Sequence, residues 1–193
     1  MVLILALPPA ALNGQQAQSA SSQASRYQAP VISDTGHLKG PRQPIFFRHD
    51  VHAGEDQIPC MYCHYSAAVS SEPGIPALQT CLGCHQVVNG GSRGGLKGDT
   101  TGARAERAQI QRLRDAWRER KPPEWIRVHA LPGFVRFPHM RHIKALGTTA
   151  CVTCHGDVQK MAQVEQVSTL RMGWCVRCHV KNNVTRDCSV CHY

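Results

Sequence analysis

A mostly irregular fold with short α-helices is what this 193-residue chain predicts, and three observations lead there. All ten cysteines fall in five copies of Cys-x-x-Cys-His. These are Cys60/Cys63/His64, Cys81/Cys84/His85, Cys151/Cys154/His155, Cys175/Cys178/His179 and Cys188/Cys191/His192. Four Phe, three Trp and four Tyr are a meagre stock for a conventional core. Outside one stretch near the middle, the chain shows little regular periodicity, so short turns around each motif and long irregular connections are expected.

The motif has a chemical reading. Two thiols three positions apart match the two vinyl groups of a haem and form thioethers with them, while the adjacent imidazole is placed under the iron. Zinc knuckles and redox dithiols also use Cys-x-x-Cys, and secreted disulfide frameworks also use many cysteines. Neither explains a histidine after every second cysteine. Five covalent haems c are therefore predicted, about 39 residues for each (193 divided by five). The porphyrins must then supply much of the buried apolar surface, and the apoprotein is expected to be largely unfolded. Two propionates on each haem would add about ten negative charges to a formal charge of +9. That near-neutrality argues against a nucleic-acid partner; the arginine excess reads as propionate pairing, with a solvated basic face as the alternative for Arg104 to Lys121.

Taken in order, residues 1–13 form an apolar segment, MVLILALPPAALN, too short to span a bilayer alone. Haems c are attached beyond the cytoplasmic membrane, so the run reads as part of a membrane anchor, with an incomplete signal peptide as the alternative. The expected location is the extracytoplasmic, periplasmic face. Residues 14–43 read as a polar tether. Residues 44–90 carry two motifs and residues 134–193 carry three. Between them, 91–133 hold a Gly-rich loop and a helix from about Ala103 to Arg120, with Ile110, Leu113 and Trp117 on one face and Pro122-Pro123 as its stop. That face is expected to pack on the haem-bearing units.

The two motif-bearing units look duplicated. Phe47-Arg-His49-Asp-Val-His52 precedes Cys60 by seven residues, and Phe137-Pro-His139-Met-Arg-His142 precedes Cys151 by eight. Outside the motifs the chain holds His37, His49, His52, His129, His139 and His142, and Met1, Met61, Met140, Met161 and Met172. That suffices to give five irons a second strong ligand, which favours electron transfer over catalysis.

FxHxxH just upstream of CxxCH resembles the class III cytochromes c, the c3 and c7 group. The resemblance implies that His49 caps the Cys60/Cys63 haem and His52 the Cys81/Cys84 haem. Likewise it implies His139 for the Cys151/Cys154 haem and His142 for the Cys175/Cys178 haem. Where cytochromes c7 place a histidine before their middle motif, Leu170-Arg-Met172-Gly-Trp174 offers a methionine, making Met172 the candidate for the Cys188/Cys191 haem. His129 is a competing ligand for either N-terminal haem, in place of His52, or a propionate partner. His37 is expected not to be a ligand.

The segment from Pro44 to Tyr193 also resembles the pentahaem cytochrome c subunit of alternative complex III, a quinol-oxidising respiratory assembly. PIFFRHDVH, IPCMYCH, EPGIPALQTCLGCH, WIRVHALPGFVRFPHMRH, ACVTCHGDV and LRMGWCVRCH carry the likeness. It implies an iron-sulfur protein subunit, integral membrane quinol-oxidising subunits and a monohaem cytochrome c as partners. The chain would be a non-catalytic five-haem wire between the iron-sulfur subunit and a monohaem or soluble acceptor. A periplasmic shuttle, or a quinol dehydrogenase subunit serving another reductase, is the alternative. A multihaem nitrite reductase fits less well, because no lysine follows a CxxC.

Overall fold

A computed structural model describes residues 38–90, 100–147 and 149–193. The N-terminal apolar segment, most of the tether including His37, and most of the Gly-rich loop lie outside the described residues. Among those described, no helix is long and apolar enough to cross a membrane.

The architecture is helical and irregular. A π-helical turn, Asp50–Glu55, precedes α1 (Cys60–Cys63), α2 (Ser66–Val69) and α3 (Leu78–His85). Then come α4 (Thr100–Arg118), α5 (His139–Leu146) and α6 (Thr149–His155). A 3-10 turn at Val158–Lys160 leads to α7 (Met172–Lys181) and α8 (Cys188–Cys191). Extended pairing among the described residues is limited to one antiparallel bridge, Val135 with His192. Each CxxC pair lies in a helical turn, because residues i and i+3 must share a face to reach one ligand.

The long helix differs in detail from the expected 103–120. It ends at Arg118, and Arg120 takes a left-handed φ of 54° while Lys121 N–H donates to Ala116 O (2.9 Å). The chain therefore leaves the helix before the proline pair and does not wait for it. Its buried face is also not quite the expected one. Leu113 is 6% exposed and packs with Ile45 and Leu82, rimmed by Leu78, Cys81 and Trp125. Trp117, one turn on, stays 45% exposed, and Gln109 is buried instead. Burial of that amide is tolerated because its Oε1 accepts from Phe46 N–H (3.0 Å). Leu113→Ala should cost about 2 kcal/mol, the low end for a leucine in so small a cluster, and lower the thermal midpoint of the holoprotein by several degrees.

Two glycines serve specific approaches. A Cβ on Gly54 would lie 2.5 Å from the Gln159 carbonyl oxygen, where the π-helical turn meets the 3-10 turn. Gly156 follows α6 directly at φ +73°, and a side chain there would meet Val167 at 2.8 Å. It ends the helix at His155 in the left-handed conformation that glycine adopts without strain.

Candidate haem sites

None of the ten cysteine thiols is joined in a disulfide. Burial pushes the thiols of Cys63, Cys81, Cys151, Cys154 and Cys175 above the usual range, which disfavours the thiolate that a zinc site requires. Zinc sites need several thiolates or imidazoles converging on one point. Among the described residues, no three His, Cys, Asp or Glu side chains converge in that way. What the fold builds instead are facing pairs of imidazoles.

The cysteines, treated as ten equivalent positions by the motif, are not equivalent in the fold. Cys60, Cys84 and Cys188 are exposed, whereas Cys63, Cys81, Cys151, Cys154, Cys175, Cys178 and Cys191 are half-buried. Cys84 stands out in the second motif, since its partner Cys81 rims the Leu113 cluster while Cys84 itself faces outward near the end of α3. Three residues along a helix turn the side chain by about 60° from the first position, enough to carry one thiol of the pair off the packed face. Cys178 differs in another way, because it already has a polar neighbour. Asn182 follows it by four residues at the end of α7, and its Nδ2 donates to Cys178 O (2.8 Å) and lies 3.5 Å from Cys178 Sγ. A thioether sulfur keeps lone pairs, so this contact is compatible with attachment at Cys178.

Four motif histidines each face a second histidine. His64 and His49 are parallel within 8° with ring centroids 6.5 Å apart, and His155 and His139 are parallel within 10° at the same spacing. His85 and His52 are 5.9 Å apart at 64°, and His179 and His142 are 6.2 Å apart at 44°. With metal–nitrogen bonds of about 2 Å, two imidazoles on opposite sides of one iron would have centroids roughly 6 Å apart. The pairs have the spacing of bis-histidine ligation, with a cysteine pair beside each. These residues fit a haem.

The tautomers fit as well. An Nδ1–H donated to a backbone carbonyl leaves the Nε2 lone pair free for a metal and fixes the ring plane. His52 donates to Arg48 O (2.8 Å), His85 to Val88 O (3.0 Å), His139 to Ser71 O (3.0 Å), His142 to Pro138 O (3.1 Å) and His179 to Thr185 O (2.7 Å). His49, His64 and His155 make no such bond, and the Nδ1 of His49 is buried without a partner. Burial, reinforced by the neighbouring histidines, lowers His49 and His155 to about 4, and burial also lowers His52 and His64. All four are neutral at pH 7, the state in which imidazole binds a metal.

Two phenylalanines organise these pairs. Phe47 stacks on His52 (4.3 Å) and meets His49 edge-on (4.8 Å); Phe137 does the same to His142 (4.2 Å) and His139 (4.8 Å). The sequence repeat is thus matched by a repeat of ring geometry. Sequence reasoning assigned these phenylalanines no role, although each stands two residues before the first histidine of its copy. Nor did it find the accepting carbonyls, which any residue type can supply. Only Arg48 and Pro138 had a signal, lying four residues before His52 and His142 as helical geometry requires.

The fifth motif is different. His192 meets Phe134 at 5.8 Å, and among the described residues no second histidine ring faces it. Met172 opens α7 with 67% of its surface exposed. His129 is brought to His155, edge-on at 4.3 Å, with its Nε2 buried and without a partner. The rings facing His64 and His85 are those of His49 and His52, so the fold does not bring His129 to the N-terminal positions for which it was considered. Burial lowers His129 as well.

No known protein-family profile matches the chain. Over 174 aligned residues, 78% of this chain and 76% of the relative, it is 26% identical to the multiheme cytochrome c subunit of menaquinone reductase from Nitratidesulfovibrio vulgaris. The likeness and the motifs agree on a multihaem cytochrome c. The helical, strand-free and irregular architecture among the described residues is consistent with that fold.

Proposed function

We propose that this chain is a multihaem cytochrome c and an electron-transfer subunit of a quinone-linked respiratory complex, holding five haems c and performing no catalysis itself. The four facing imidazole pairs are the observation that carries the reading. Each bound haem would accept and release one electron at its iron. The chain's own residues do the rest. Ten cysteines would tether the groups, and His64, His85, His155, His179 and His192 would each ligate the iron held by their own motif. His49, His52, His139 and His142 would supply a second ligand to the first four and Met172 to the fifth, which would leave no ligand position for a substrate. Carbonyls and phenylalanines fix the ring planes, so little reorganisation accompanies a change of charge.

Within that class, the resemblance of residues 44–193 supports the pentahaem subunit of alternative complex III, on the periplasmic face of the membrane. Its partners would be an iron-sulfur protein, integral membrane quinol-oxidising subunits and a monohaem cytochrome c. A second reading is favoured by the N. vulgaris relative, whose name places it in a menaquinone reductase. In that case electrons would run towards quinone. Isolation of the native assembly separates the two: under the first reading added quinol reduces the haems, and under the second the reduced haems pass electrons to added quinone.

Pyridine haemochrome assay of the purified chain is expected to give five haems c per polypeptide, and four or fewer would reject the proposal at its base. Carbon monoxide and cyanide should leave the spectrum of the native protein nearly unaltered, because every iron has two protein ligands. Rapid binding of either would expose an open site and restore a catalytic role.

A further inference from the structure

We propose that the haem sites are not arrayed in chain order: the Cys81/Cys84 site is one end of the array, and the Cys60/Cys63 site links it to the three sites of residues 134–193. The inference rests on the five-haem reading above and adds a spatial order to it.

The connection between neighbouring sites begins with the FxHxxH turns. His49 and His52 stand three residues apart on one turn, yet His49 faces His64 and His52 faces His85. One turn therefore serves two sites, which makes the first and second motifs neighbours. By the same geometry His139 and His142 make the third and fourth motifs neighbours.

The contacts between the two stretches of chain identify which site makes the crossing. α2 follows the first motif at once, with Ala67 N–H donating to His64 O (3.0 Å), and it packs against α5. The loop after it holds the distal ligand of the third site. Ser70 O accepts from Met140 N–H (3.2 Å), while Ser71 O accepts from both the backbone N–H and the Nδ1–H of His139 (3.4 and 3.0 Å). On the other side of the first site, Asp50 N–H donates to Met161 O (3.2 Å), which binds the turn carrying the distal histidines to the segment beyond α6.

The second site has a different set of neighbours. Leu82 of α3 packs on Leu113 of α4, and the Arg114 guanidinium donates to His85 O (2.7 Å), Gln86 O (3.2 Å) and Asn89 Oδ1 (2.7 Å). Thus α4 covers α3. Among the described residues, no hydrogen bond or ring contact joins residues 78–90 to residues 134–193. The Cys60/Cys63 site therefore lies between the Cys81/Cys84 site and the others, and the first motif in the sequence is an interior member of the array.

Redox titration of the full holoprotein, followed through the resolved haem methyl signals in the NMR spectrum, tests this order. Oxidation of one haem adds a positive charge, and the midpoint shift it imposes on another falls with their separation. In the unaltered protein, the interaction between the Cys60/Cys63 and Cys151/Cys154 haems should exceed that between the Cys81/Cys84 and Cys151/Cys154 haems. The reverse ranking would overturn the proposal. Two variants sharpen the result. His52→Met should raise its own site's potential and displace chiefly the Cys60/Cys63 haem, whereas His49→Met should displace both the Cys81/Cys84 and Cys151/Cys154 haems. An effect of His52→Met that is larger at Cys151/Cys154 than at Cys60/Cys63 would also overturn it. A haem count below five would instead reject the parent reading.

Discussion

A chain made without haem attachment, with all ten cysteines changed to alanine, is expected to be unfolded at neutral pH. Its far-UV circular dichroism should be that of a coil with at most a residual contribution from α4, and its thermal transition should lose cooperativity. The reason is the small amount of apolar surface that these side chains bury against one another. Among the described residues the buried hydrophobics are Ile45, Ala67, Leu82, Leu113 and Ala150. Five such side chains supply on the order of 10 kcal/mol at most. Ordering each residue costs about 1–2 kcal/mol in backbone entropy alone, over a chain of 193 residues. Local structure does not offset this. α1, α2 and α8 have four residues each, too short to nucleate as isolated helices, and only the 19 residues of α4 exceed the length at which a free helix becomes marginal. A cysteine-free chain with the helical spectrum and protease resistance of the holoprotein would refute the expectation.

The second large effect is expected at Met172. Met172→His should lower one of the five midpoint potentials by on the order of 0.1 V, within the roughly 0.8 V that axial ligation commands. It should also remove the far-red methionine-to-ferric absorption while the other four potentials move little. Thioether favours ferrous iron relative to imidazole, so a haem at Cys188/Cys191 held by Met172 would be the most oxidising of the five proposed. Two observations motivate the assignment. His192 faces no second imidazole among the described residues, whereas the other four motif histidines each face one. Met172 occupies the position before Cys175 where the c7 resemblance requires a ligand, and its exposed side chain at the first position of α7 is not committed to protein packing. Retention of the far-red band in the variant would exclude Met172 and leave the sixth position of that haem to another residue.

Much of each site was legible because CxxCH and FxHxxH are local codes. Two cysteines and a histidine within five residues reach one group whatever the rest of the chain does. Two histidines three residues apart share one face of a turn, as His49 and His52 do. The different surroundings of the cysteines were not legible, since the exposure of Cys84 follows from how α3 meets α4 and the contact of Cys178 from the helix end at Asn182. The helix between the units could be read from Ile110, Leu113 and Trp117, which keep its period, although which of its residues lie inside could not. Gln109 is buried and Trp117 exposed because the helix leans on Ile45 and Leu82, neighbours more than 25 residues away that no periodicity reports. The place of His129 was not legible for a similar reason. Its spacing from the motifs is irregular, and only the folded chain brings it against His155.

By itself, then, the sequence pointed to the cofactor class and determined the five Cys-x-x-Cys-His motifs and the repeat, since each is written within a few consecutive residues. The tertiary structure alone decided which imidazoles face each other, which carbonyls orient them, and how the first and second motifs stand relative to the third. Those depend on contacts such as Ser71 with His139 and Arg114 with His85, between residues 68 and 29 positions apart. Hydrogen bonds to a backbone carbonyl leave no mark on residue identity, so long-range order of this kind exists only once the chain has folded around its groups.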